Sequence, residues 1–89
     1  MEFELSNRES IEVFDGNLVR ARDKCVIYRI TVTQFDGANL KIIVTGGKSK
    51  LVTPDTRSPV VDVAVWGQLY LEADGTGTVT GTYEALFGL

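Results

Sequence analysis

"PVVDVAVWGQLYLEADGTGTVTGTYEALF" occupies residues 59–87, and its alternation decides the fold. In extended chain, successive side chains point to opposite sides. Val61, Val63, Val65, Leu69, Leu71 and Ala73 then share one face, and Asp62, Ala64, Trp66, Gln68, Tyr70 and Glu72 share the other. Beyond Asp74-Gly75, the residues Val79, Gly81, Tyr83, Ala85 and Phe87 fall together, opposite Thr78, Thr80, Thr82, Glu84 and Leu86. The pattern predicts two β segments joined by a hairpin at "DGTG". A loop of odd length brings the two apolar sets to the same side, which is favoured because each aliphatic side chain left outside forfeits about 1.5–3 kcal/mol. At roughly 3.3 Å per residue a straight strand over 59–73 spans about 50 Å, too long for a small domain. Gly67 is the expected bend.

Working outward, "CVIYRITVTQF" (25–35) and "LKIIVTG" (40–46) are rich in β-branched residues and flank "DGAN". Shorter strand candidates are "FEL" (3–5), "IEVF" (11–14), "LVRA" (18–21) and "KLVT" (50–53). Asp-Gly recurs at 15–16, 36–37 and 74–75, and both residues tolerate the positive φ of tight turns, so three hairpins are expected. Ser6 and Glu9 have capping-box spacing, which allows at most one short helical turn. The fold class is therefore all-β. Residues 1–89 form one domain, a small antiparallel β-barrel or two-layer β-sandwich of six to eight hairpin-connected strands.

"DGTGTVTGTYEA" (74–85) resembles the second hairpin of avidin-like biotin-binding barrels. The resemblance implies an antiparallel meander and nothing about biotin, since that family's further tryptophans have no counterpart beside Trp66.

With 44% hydrophobic and 24% charged residues the chain has the composition of a globular protein, not a disordered one. A net charge of −3 provides no pull toward phosphate or anionic lipid, so nucleic acid and membrane are not expected partners. Cys25 is the single cysteine, and neither a signal peptide nor a membrane-length apolar run is visible. Those features point to a cytoplasmic or otherwise intracellular setting, a virion included.

The chain contains no histidine. That removes the usual general base, the commonest zinc ligand and both Ser-His and Cys-His nucleophile pairs. With one cysteine as well, structural zinc and iron–sulfur sites are excluded within one chain. No enzyme activity, cofactor or metal is expected. "DGTGT" and "DGAN" lack the ligand spacing of a calcium loop, and "GTGTVTG" lacks the lysine of a phosphate loop.

Two surfaces remain as candidates. The face bearing Trp66, Tyr70, Asp62, Gln68, Thr78, Thr80, Thr82 and Glu84 combines aromatic, acidic and hydroxyl groups, as a protein hot spot or a sugar site would. Arg20, Arg22 and Lys24 share one strand face and form a second candidate, an anion contact. The expected function is a non-catalytic protein-binding or assembly module, self-associating, of the virion-accessory or inhibitor type. The alternative is a small-molecule or carbohydrate binder that uses the aromatic face.

Overall fold

The computed structural model describes residues 1–13, 26–44, 48–54, 60–65 and 67–88. Among these residues eight strands form: β1 (Glu2–Ser6), β2 (Ser10–Val13), β3 (Val26–Asp36), β4 (Asn39–Val44), β5 (Lys50–Val52), β6 (Val60–Val65), β7 (Leu69–Asp74) and β8 (Thr78–Gly88). They make two four-stranded antiparallel sheets, ordered β1-β8-β3-β6 and β2-β7-β4-β5. We call these sheets A and B. The fold is a sandwich, and the sheets do not close into a barrel.

The pairings follow a simple rule. β1 pairs with β8, β2 with β7, β3 with β6 and β4 with β5. The chain is thus one long antiparallel ribbon doubled back at β4–β5. Two lateral pairings, β3 with β8 and β4 with β7, roll that ribbon into two layers. This is the strand order of an eight-stranded jelly roll.

The expected hairpins at Asp36-Gly37 and Asp74-Gly75 do not form. β3 and β4 lie in different sheets, and so do β7 and β8. The antiparallel meander implied by the avidin-like resemblance is overturned by the same observation. The turn chemistry itself is as expected, with positive φ at Gly37 (84°) and Gly75 (143°). A residue with positive φ reverses the chain without dictating whether the next strand pairs with the last one or crosses to the facing sheet. Here the chain crosses, and β7 pairs with β2 and β4 while β8 pairs with β1 and β3. Asp15-Gly16 lies outside the described residues. Within them, only β4–β5 joins neighbours in sequence that also pair.

Ser6–Glu9 is a β-turn, not a helical one. Glu9 N donates to the Ser6 carbonyl at 3.0 Å, and Asn7 and Arg8 both have positive φ, 50° and 61°. The capping-box contact is nevertheless made, because Ser6 N donates to Glu9 Oε1 at 2.9 Å.

Three of the crossings meet at one end of the sandwich and are laced by backbone hydrogen bonds. Asn7 N donates to the Gly77 carbonyl (3.0 Å), Arg8 N to Gly75 (2.9 Å) and Gly77 N to Gly37 (3.2 Å). Gly67 marks a bend between β6 and β7, where the chain changes sheet.

The inward faces match the alternation. Val61, Val65, Leu69, Leu71, Ala73 and Val79 are buried, while Val63, Tyr83 and Ala85 are partly buried against the same core. Tyr28, Ile30, Leu40 and Ile42 complete its centre. Among the described residues every buried side chain is hydrophobic.

Candidate functional site

Alternation puts Thr78, Thr80 and Thr82 on the outer side of β8, while Val79 on the other side is buried. β8 lies in the middle of sheet A, so its threonines are bordered by two strands. On one side β1 offers Ser6, Glu4 and Glu2 as register partners of Thr78, Thr80 and Thr82. On the other side β3 offers Asp36, Gln34 and Thr31. Ser6 Oγ and Thr78 Oγ1 share a 2.9 Å hydrogen bond. The outer face of sheet A is therefore a field of hydroxyls with carboxylates at its border.

A bulge shapes this field. The β3–β8 register shifts between Val32 and Gln34, which leaves Thr33 as the extra residue, and its Oγ1 donates to the Thr80 carbonyl at 3.1 Å. Beside it runs an open groove of about 350 Å³ lined by Glu2, Glu4, Thr33, Thr80 and Thr82, with Phe3 and Gly81 at its floor. Phe3 and Gly81 are register partners, and a Cβ on Gly81 would sit 2.7 Å from the Phe3 ring. The aromatic ring covers the glycine, as happens where a strand residue lacks a side chain.

Farther along the same face, Arg29 on β3 grips Asp62 on β6. Arg29 Nε donates to Oδ1 at 3.0 Å and Nη2 to Oδ2 at 3.3 Å, with the two side chains 44% and 47% exposed. The hydrogen bond from Arg29 and, in addition, its charge hold the Asp62 carboxyl below its ordinary value against a smaller desolvation effect. The hydrogen bond to Asp62, the Asp62 charge and the nearby Glu84 raise the Arg29 guanidinium in turn. A carboxylate with a depressed folded-state pKa contributes stability above its unfolded value, near 3.9, and loses it as pH falls through the folded value. Asp62→Asn is therefore expected to lower the melting temperature slightly at neutral pH and not in strong acid. Thermal melts at both pH values check this, and an equal effect in the two would contradict the pairing.

The predicted single face divides in two. Asp62, Thr78, Thr80, Thr82 and Glu84 share the outer side of sheet A. Gln68 and Tyr70 belong to the opposite layer, where Tyr70 Oη donates to Gln68 Oε1 at 2.8 Å. The separation follows from β7 and β8 lying in different sheets. Trp66, Arg20, Arg22 and Lys24 lie outside the described residues. Sequence reasoning missed Ser6, Thr31, Thr33, Glu2 and Glu4 as members of the hydroxyl face. The "TVT" at 31–33 carried the same two-residue signal as 78–82.

No protein-family model matches this chain. Comparisons with curated proteins and with solved structures give no match either. Among the described residues, no group of three or more Asp, Glu, His or Cys side chains is placed to hold a metal ion. No helix there is long and apolar enough to cross a membrane.

Proposed function

We propose that this chain is a non-catalytic binding and assembly module that associates with itself, a small β-sandwich building block suited to a virion accessory part or to blocking a larger machine. The observation that carries the reading is on the outer side of sheet B. Tyr70 and Ile43, register partners on β7 and β4, stand partly exposed there, and Leu51 on β5 is 49% exposed. A cluster of one aromatic and two aliphatic side chains on an outer sheet face is the kind of surface that protein partners cover.

The chemistry supports a binding role over a catalytic one. The chain has no histidine, and Arg29 holds the exposed Asp62 in its charged form. The groove on sheet A offers hydroxyls and carboxylates, but its aromatic residue, Phe3, is only 4% exposed, so it presents no ring face to a sugar. The virion setting rests on the jelly-roll architecture alone, which hosts many unrelated functions.

Sedimentation equilibrium from the low micromolar to the submillimolar range tests the reading. The weight-average mass is expected to rise with concentration. A constant monomer mass over the whole range would overturn self-association.

A further inference from the structure

The outer face of sheet B has a charge layout that fits a second copy of itself. Two cross-strand rows define it. One runs Ser10–Glu72–Lys41–Leu51 across β2, β7, β4 and β5, and the next runs Glu12–Tyr70–Ile43. Acidic groups occupy the β2–β7 half, as Glu12 and Glu72. The β4–β5 half carries a basic group, Lys41, beside Leu51. Between them lie Tyr70 and Ile43. Among the described residues the ion pair that forms is Arg29–Asp62. Lys41 and Glu72, though direct register partners, form none.

We infer that two copies of this chain pack sheet B against sheet B, about a two-fold axis that runs along the strands midway between β7 and β4. The inference rests on the self-association proposed above and names the surface responsible. Rotation about such an axis exchanges the two halves of the face while keeping each residue at its height along the strand. Glu72 of one copy then lies over Lys41 of the second, and Tyr70 lies over Ile43. Symmetry makes every contact twice, as an isologous interface requires. Sheets packed face to face sit roughly 10 Å apart, within reach of these side chains. A rotation axis perpendicular to the sheet would not bring the two faces together. A two-fold axis lying in the plane of the sheet but across the strands would set β7 over β7 and β4 over β4, acid half over acid half.

Charge reversal tests the arrangement. Lys41→Glu makes both charges of the Ser10–Leu51 row acidic and Glu72→Lys makes both basic, so like charges face each other across the axis and each variant alone should associate at least about tenfold more weakly than the wild type. Mixed in equal amounts, the two variants restore both attractive pairs, and the mixture should associate within about threefold of the wild type. Sedimentation equilibrium reads all four samples, and circular dichroism confirms that each variant is folded. If a reversal impairs folding, Lys41→Gln and Glu72→Gln serve in its place, each weakening association by a smaller factor.

The outcomes separate the two claims. A wild type that associates while neither reversal weakens it overturns this face and leaves self-association standing. Weakening without recovery in the mixture overturns the Glu72–Lys41 pairing. A wild type that stays monomeric overturns both.

Discussion

Replacing Gly77 with alanine is expected to destabilise the fold by about 3 kcal/mol or more. For a chain of this length that is a fall of roughly 12–24 °C in melting temperature. The reason is the lacing of the crossings. A Cβ on Gly77 would collide with the Asp36 carbonyl oxygen and sit 2.5 Å from Gly37 Cα and 2.6 Å from its carbonyl carbon. All three are backbone atoms, so no flexible side chain can swing aside. To make room, the crossing at Gly37 must lift away and lose the Gly77 N to Gly37 carbonyl bond. The sign of the effect is diagnostic. Glycine-to-alanine changes at unstrained positions usually stabilise, by about 0.4–1 kcal/mol, because they restrict the unfolded chain. Thr76→Ala, at the exposed neighbouring position, should change stability by less than about 0.5 kcal/mol. A Gly77→Ala protein that melts at or above the wild-type temperature would show that the crossings do not dock as described.

The second large effect is expected at Leu71. Its side chain is fully buried in the middle of sheet B, between the register partners Ile11 on β2 and Ile42 on β4. Leu71→Ala removes apolar contact and leaves a void, at a cost of about 2–5 kcal/mol. Domains of this size hold roughly 0.05–0.15 kcal/mol per residue, so the change consumes a large part of the total. Urea denaturation should show a much lower midpoint with an unchanged slope. An unaltered midpoint would mean that β7 is displaced by one residue, with Tyr70 and Glu72 facing inward in place of Leu69 and Leu71.

Strand alternation was the most legible feature of the sequence. It separated Val79 from Thr78, Thr80 and Thr82, and Leu71 from Tyr70, as the burial of Val79 and Leu71 now shows. A period of two reports only inside or outside. It does not reveal which strand lies alongside, because burial against either sheet gives the same pattern. The Asp-Gly pairs carried the same ambiguity. Gly37 and Gly75 have the expected positive φ, yet they serve crossings between sheets. One mistaken neighbour, β8 beside β7, was enough to merge Tyr70 and Thr80 into a single face that the sandwich divides. The groove was hidden for a related reason. It needs Glu2, Thr33 and Thr82 together, and these come from strands far apart in the chain. The bulge at Thr33 has no local residue signature at all.

The position of β8 between β1 and β3 bears on how the protein is made in the cell. A ribosome delivers β1 and β3 first, and neither can complete its layer until residues 78–88 have emerged. About 40 residues separate β3 from β8, so at about 5–20 residues per second the nascent chain waits roughly 2–8 s with two strand borders bare. During that interval a strand such as Val26–Val32, apolar along the face that carries Val26, Tyr28, Ile30 and Val32, is open to mispairing with neighbouring chains. Yield on overexpression should therefore depend on how quickly the last strand is translated and on whether a holding chaperone is at hand.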